Sequence, residues 1–433
     1  MRQILFVTPY YPPEKTPPAI RISEMAQQLV ARGHKVTVLT TFPNFPSGII
    51  PSEYQGRTIQ CEVCNGVRIV RVWSYITPNK GFFRRILGQL SFGWIAPLLG
   101  WKRVGRPDII IVESPPLFDA FAARLLAWGK RCPYIFTVAD LWPESAVQLA
   151  MLRNPVLIRL ACWLEWSTYR RAGRVWAITQ GIRDILIQRG LAPEHVFLLT
   201  NGVDTSKFRP LPLARARAEL GWENRFTVLY AGTHGVSQGL HTVLEAARIM
   251  QDDTDVRFVF VGDGAEKAGL VSQAQKWRLE NVSFLGLQPH DRMPLLLAAA
   301  NACVVPLRKV PLFEGALPSK LYEIMACARP ILLGIDGEAR RLAEQEAGAA
   351  IYVEPENPED LVSAILYLRK HDEVAEILGR RGRTFVEARF DREKLTEALE
   401  AHIETLLGRQ ITVRETAEPV AIGSGIGKDQ SYT

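Results

Sequence analysis

The sequence predicts an α/β protein of two doubly wound units whose parallel sheets face a common cleft. Two observations carry this. Short apolar runs rich in β-branched residues alternate with amphipathic helical stretches along most of the 433 residues, as parallel strands covered on both faces require. The alternation pauses once, at Asn201–Leu213, around Gly202, Pro210 and Pro212, and then resumes. The chain also exceeds the roughly 250–300 residues at which single cores stop growing.

In the first unit Ile4–Thr8 reads as a buried strand. Ile20–Ala31 has helical spacing and stops at Gly33. Strands follow at Val36–Thr41, Val67–Val72, Ile109–Val112, Tyr134–Val138, Val175–Ile178 and Val196–Leu199, with a helix over Leu117–Trp128. In the second unit strands are expected at Phe226–Tyr230, Val256–Val261, Val282–Phe284, Ala302–Pro306, Pro330–Leu333 and Ala350–Val353. Its helices are expected at Thr242–Met250, Met293–Ala299, Lys320–Ala328 and Pro358–Lys370, and two charged amphipathic helices fill 372–407. The polar tail, 411–433, predicts disorder. Ligands of such sheets bind beyond the carboxyl ends of the strands, so two facing sheets place the site between the domains.

Composition narrows the chemistry. A net charge of +7 favours anionic partners, but no nucleic-acid recognition module is present, so nucleic acid is not expected as one. Of the six cysteines only Cys61 and Cys64 are close in sequence. With no second ligand pair nearby they predict thiols beside a turn, not a metal site. Scattered thiols suit a reducing cytoplasm. The amino terminus lacks a signal-peptide pattern, and no run is long enough to span a bilayer. One segment stands apart: Phe82–Val104 has an apolar, aromatic centre with Arg84, Arg85, Lys102 and Arg103 at its ends. That composition suits an anionic membrane surface; a core helix with basic ends is the alternative.

Five motifs carry candidate chemistry. Phe260–Gly264 ends a strand in glycines ahead of a helix, so a ligand can approach the backbone at Gly262. Leu229–Gly239 is a second glycine loop that could hold phosphates on its amides. In Phe313–Ala328, Pro318 and Ser319 open a helix, and Lys320 falls in its first turn, where a cation opposes the helix dipole. That anomaly predicts an anionic partner. Glu323 shares its face three residues on and could take sugar or ribose hydroxyls; an i, i+3 surface salt bridge is the plainer alternative. Asn201–Phe208 is a turn at the domain junction. In Val138–Glu144, Asp140 follows a buried strand at the ligand edge, where it could position an acceptor, take its proton or cap a helix.

Together these residues resemble the family-4 retaining glycosyltransferases: the opening YYPPEKTPPAIRISEMAQQLVARGHKVTVLTTFPNFPSG, then NGVDTSKF and FVGDGAEKAGL. FPNFPSG, DLWPES and PSKLYEIMA resemble the branch that builds O-antigen and capsule repeats, including L-fucosamine transferases. The resemblance covers about residues 1–405. It implies a GT-B fold of two Rossmann-like domains, 1–205 for the acceptor and 206–385 for the donor. A C-terminal helix, 386–410, would return to the first domain. It also implies a nucleotide diphosphate sugar, a UDP-sugar by preference, and no required cofactor or metal. Lys320 and Ser319 would meet the diphosphate and Glu323 the ribose. The loop with Gly232, Thr233, His234, Gly235 and Gln238 would cover the phosphates, and Thr16, with Pro17 and Pro18, would face the donor. The acceptor would be a polyprenyl-diphosphate-linked glycan at the inner face of the cytoplasmic membrane.

This sequence departs from the family pattern at several of these places. Thr233 and Gln238 stand where the loop's Arg and Lys are usual, and His234 is expected to restore some polarity. Gly315 stands where the first acidic residue is usual, with Glu314 one place off, and Ala139 replaces the His before Asp140. Lys320 is therefore expected to meet more of the diphosphate charge. Two other functions share these motifs: a nucleotide-sugar 2-epimerase, which needs no lipid-facing segment, and a membrane-binding homologue without catalysis, which would not need Lys320 and Glu323.

Overall fold

The computed structural model describes residues 1–45, 47–76, 82–144, 147, 152 and 154–408. The tail expected to be disordered lies outside them. Two sheets organise the chain.

The first has eight strands: β1 (Gln3–Val7), β2 (Lys35–Thr41), β3 (Ile59–Cys64), β4 (Val67–Val72), β5 (Ile109–Val112), β6 (Tyr134–Val138), β7 (Arg174–Ala177) and β8 (Val196–Leu198). Their order is β3-β4-β2-β1-β5-β6-β7-β8, parallel except for the β3–β4 hairpin. The helices described here are α1 (Pro17–Ala31), α2 (Phe82–Gly100), α3 (Asp119–Lys130), α4 (Pro155–Arg171) and α5 (Gln180–Gln188). Alternate residues of each strand face opposite layers. Ile4 and Phe6 pack with Met25 and Leu29 of α1. Leu5 and Val7 join Phe92 of α2, Leu126 of α3 and Leu164 of α4.

The second sheet has six parallel strands: β9 (Phe226–Ala231), β10 (Val256–Val261), β11 (Val282–Leu285), β12 (Ala302–Pro306), β13 (Ile331–Gly334) and β14 (Ala350–Tyr352). The order is β11-β10-β9-β12-β13-β14. Around it lie α6 (Leu213–Leu220), α7 (Leu240–Ile249), α8 (Lys267–Trp277), α9 (Met293–Ala298), α10 (Lys320–Ala326), α11 (Pro358–Lys370) and α12 (Asp372–Arg389). Val259 and Val261 pack with Leu321 and Met325 of α10, while Phe258 and Phe260 face Leu244 of α7 and Leu270 of α8.

A last helix, α13 (Arg392–Leu406), follows. It packs on α1 of the first domain, whereas α12 packs on α10 of the second. The chain therefore recrosses at Phe390–Arg392. There Val203 N–H donates to the Phe390 carbonyl at 3.0 Å, and Arg392 N–H to that of Val203 at 2.9 Å. Asp391 caps α13 through Glu393 N–H.

The region around Cys61 and Cys64 forms a strand, β3, whose last residue pairs with Val67. Both thiols are exposed. The segment expected at a membrane is partly a core helix. Phe92 and Ala96 of α2 are buried, while Leu87, Trp94 and Leu98 point outward. Its far end turns inward: the Lys130 ammonium lies 4.6 Å over the Trp101 ring and donates to the Trp101 carbonyl at 2.7 Å. No described helix is long and apolar enough to cross a membrane.

Candidate active site

The carboxyl ends of the strands of both sheets open onto one cavity of about 510 Å³, lined by both domains. Its second-domain wall begins with two glycine turns. Gly232 follows β9 and Gly262 follows β10, at φ of 146° and 132°. A Cβ on Gly262 would stand 2.0 Å from the Gly232 carbonyl oxygen. The turns lie back to back at a spacing only glycine allows, so backbone rather than side chain borders the cavity.

Lys320 opens α10 and reaches across this wall. Its Nζ donates to the Tyr230 hydroxyl at 3.2 Å and to Gln238 Oε1 at 3.5 Å, and lies 4.3 Å over the Tyr230 ring. The Tyr230 hydroxyl in turn donates to the Thr233 carbonyl at 2.6 Å, which pins the loop to the lysine. A Cβ on Gly232 would be 2.7 Å from Nζ. Among the described residues no carboxylate forms an ion pair with this ammonium. Burial lowers its pKa to about 8, against a smaller opposing pull from Glu323.

Glu323 does not close a salt bridge with Lys320. It accepts from His290 Nε2 at 3.3 Å, and this hydrogen bond raises the His290 pKa. His290 also sets its ring edge-on to Phe208, centroids 5.2 Å apart. Both Lys320 and Glu323 line the cavity.

The first-domain wall is built by the loop into α1 and by Arg21, Asn201 and Arg392. Arg21 is buried, donates to Asn201 Oδ1 at 2.8 Å and pairs with Glu113. Arg392, from α13, is buried and donates to Glu24 at 3.0 Å. Away from the cavity, Glu338 of the second domain accepts from the N–H groups of Gln180 at 3.0 Å and Gly181 at 3.3 Å. A carboxylate there meets the positive end of α5 and ties the domains together.

Of the expected site residues, Gly232, Thr233, Gln238, Gly262, Ser319, Lys320 and Glu323 share the cavity wall. Four do not. Thr16 is buried and caps α1, accepting from Ala19 N–H at 3.3 Å; its neighbours Lys15 and Pro17 face the cavity instead. His234 is fully buried among Tyr230, Phe260 and Phe284, and burial holds its pKa at about 4, so it is neutral and adds no polarity to the cavity. Its main chain joins the two loops, its N–H donating to the Asp263 carbonyl at 2.9 Å. Gly235 stands behind the loop, where its carbonyl accepts from Gln238 N–H at 3.0 Å. Asp140 lies on an exposed bend after β6, outside the cavity lining. Glu314 and Gly315 are exposed and outside it too.

Sequence reasoning missed Tyr230, Arg21, Arg392 and His290. Tyr230 carried a signal, a phenol at the end of a buried strand where a polar atom needs a partner. Arg21 and Arg392 reach the cavity from remote segments and had none, and His290 acts from behind the wall through Glu323.

Comparison with known proteins identifies this architecture. The model for a glycosyl transferase 4-like domain matches residues 18–202, and that for glycosyl transferases group 1 matches 214–385. WcaI of Escherichia coli (strain K12), a glycosyl transferase named for colanic acid biosynthesis, is 30% identical over 400 residues, 89% of this chain and 95% of its own. The chain belongs to the family-4 GT-B glycosyltransferases. Solved structures agree on the fold. Sucrose-phosphate synthase from Thermosynechococcus elongatus superimposes with a TM-score of 0.71 at 20% identity, over 94% of this chain and 99% of its own. Anabaena HepE, in complex with UDP and glucose, gives 0.67 at 20% identity, over 94% and 100%. As a member of this family the protein is a glycosyl-transferring enzyme, and the cavity between its sheets is its candidate donor site.

Proposed function

We propose that this glycosyltransferase moves a sugar, an N-acetylated amino sugar by preference, from a UDP-linked donor to a polyprenyl-diphosphate-linked glycan. The transfer retains configuration, needs no metal, and serves cell-surface polysaccharide synthesis at the inner face of the cytoplasmic membrane. One observation carries the reading: a half-buried ammonium, Lys320, that among the described residues has no carboxylate ion pair and sits beside the Gly232 turn in an interdomain cavity. A cation kept that way suits a diphosphate. Similarity to WcaI supports the polysaccharide context, and the nucleotide named with HepE supports the base.

In this reading the diphosphate lies against Lys320, Ser319 and the turns at Gly232 and Gly262, and Glu323 takes the ribose hydroxyls. As the bond from the anomeric carbon to the phosphate oxygen breaks, negative charge grows on the leaving diphosphate. Lys320 stabilises it with no reorganisation at the moment of reaction. The acceptor hydroxyl adds on the face the phosphate leaves, and its proton passes to the departing phosphate oxygen. Asp140, outside the donor cavity, orients the acceptor rather than taking that proton. The outward face of α2 brings the enzyme to the anionic membrane.

Two measurements test this. Melting-temperature shifts with UDP, GDP, TDP and CMP should single out UDP, since a ligand that binds only the folded chain raises the transition. Lys320→Ala should remove donor turnover while the circular dichroism spectrum stays native. Near-normal transfer by that variant would take Lys320 out of the mechanism.

A further inference from the structure

Helices α2, α3 and α4 lie side by side over one face of the first sheet, with α5 and its exposed Asp184 beyond them, and the outer surface of the first three is unusual in charge and polarity. Together those three hold two carboxylates, Asp119 and Glu165, and both are buried. Their exposed charges are all positive: Arg84, Arg159 and Arg170 point to solvent, and Arg171 ends α4. Large apolar side chains point outward among them. On α2 these are Trp94 and Leu98, 51% and 66% exposed; on α4 they are Val156, Leu160 and Trp163, at 69%, 57% and 60%. Positions 156, 160 and 163 fall on one stripe of the α4 helix, with Arg159 beside it. The opposite stripe of α4, Ala161, Leu164, Glu165 and Thr168, is the buried one.

The helices are fastened to one another. Trp94 of α2 stacks on Phe121 of α3 at 5.0 Å, and Arg124 of α3 donates to Ser167 of α4 at 2.9 Å. The outward tryptophans of α2 and α4 therefore stand on a common, rigid face. A helix following a parallel strand starts at the carboxyl edge of the sheet, which is the edge at the cavity. The first turns of α4, with Val156, Leu157 and Leu160, thus lie towards the cleft, and Arg170 and Arg171 lie away from it.

We propose that α4 is a second membrane-docking helix. Val156, Leu160 and Trp163 enter the headgroup layer beside the cleft, and Arg159 and Arg170 pair with anionic lipid phosphates. A peripheral protein needs both apolar insertion and charge attraction for stable attachment. A surface of tryptophans and arginines on which α2, α3 and α4 expose no carboxylate matches an anionic bilayer rather than a protein partner of mixed charge. The inference rests on the membrane reading above, in which α2 alone makes the contact. It adds that α4 sets the tilt, so that the cavity mouth faces the lipid from which a polyprenyl-linked acceptor would rise.

The test is sedimentation of the full chain with phosphatidylglycerol–phosphatidylethanolamine vesicles and with phosphatidylcholine vesicles. Wild type should bind the anionic vesicles and release at high salt. Leu160→Gln with Trp163→Gln should lower the partition coefficient by about tenfold or more, from the apolar area withheld from lipid. Arg159→Glu should lower it several-fold and flatten the salt dependence. Both variants should keep the melting temperature of wild type, since these side chains already face water; the charge reversal serves as the test if the double variant does not fold. If wild type binds and both variants bind equally well, the role of α4 is overturned and that of α2 stands. If wild type ignores anionic vesicles, the membrane reading itself falls. If the double variant turns a dimer into a monomer in light scattering, the face is a contact between copies of the chain and the proposal is overturned.

Discussion

Replacing Lys320 by methionine should make the ligand-free protein more stable while it destroys donor binding. The ammonium sits in a site that lowers its pKa from 10.5 to about 8, chiefly by burial. Keeping it charged at pH 7 then costs on the order of 3 kcal/mol relative to water. The side chain lines an open cavity and is only half-buried, so about half of this survives solvent screening. Methionine has similar length and no charge, and the lost Tyr230 contact offsets part of the gain. About 1 kcal/mol should remain, a rise of roughly 2–4 °C for a domain of this size. The sign with pH is specific. Between about pH 8 and 10.5 the unfolded wild type binds the extra proton, so wild-type stability climbs with pH there and the gap to the variant closes. Scanning calorimetry from pH 6.5 to 10.5, with and without nucleotide, reads all of this. A variant less stable than wild type at pH 7, or one whose transition still rises with UDP, would refute the reasoning.

His290→Ala should raise the donor KM several-fold and leave kcat nearly unchanged, because His290 holds Glu323 in place without reaching the leaving group. The Glu323 bond raises the His290 pKa, with Glu24 adding to it and Lys207 opposing, so wild-type donor affinity should fall as pH rises through a value above 6.5, and the variant should lose that inflection. Gly262→Ala should destabilise the second domain by more than about 2 kcal/mol in urea unfolding, since its Cβ would meet a carbonyl oxygen at 2.0 Å on a backbone at φ 132°. Unchanged stability would mean that the two glycine turns can separate.

The parts of the fold that were legible are those where one physical effect dominates. Ile109–Val112 and Tyr134–Val138 are fully buried runs of β-branched and aromatic residues, and each forms the strand expected, residue for residue. The edge strand β3 was not legible. It is exposed or half-exposed throughout, so neither a continuous apolar run nor a clean alternation marks it. α4 was missed for a related reason. Its outward Val156, Leu160 and Trp163 blur the contrast between faces on which helical periodicity depends. At the site, Lys320 could be read because a cation in a first helical turn breaks a local rule. Thr16 and His234 were placed wrongly because sequence gives the loop and not the direction of each side chain. Thr16 turned back to cap α1, and His234 turned into the core.

Thr233 and Gln238, the loop residues expected to depart from the family pattern, fit the electrostatics around Lys320. Arg21 and Arg392 line the cavity, but each is tied to a carboxylate, Glu113 and Glu24. Little of their charge is free for a ligand; among the described residues Lys320 is the cavity-lining cation of the second domain without an ion pair, with Lys15 facing it from the first. A lysine at position 238 would bring a second ammonium close to Nζ, where Gln238 now offers an acceptor at 3.5 Å. Like charge at that range would lower an already depressed pKa further and drive Lys320 towards its neutral form. Gln238 and Thr233 instead let the Tyr230 hydroxyl and the glutamine oxygen solvate the ammonium and aim it. One well-solvated cation then faces the ligand from the second domain, and the cavity keeps a charged Lys320 near neutral pH.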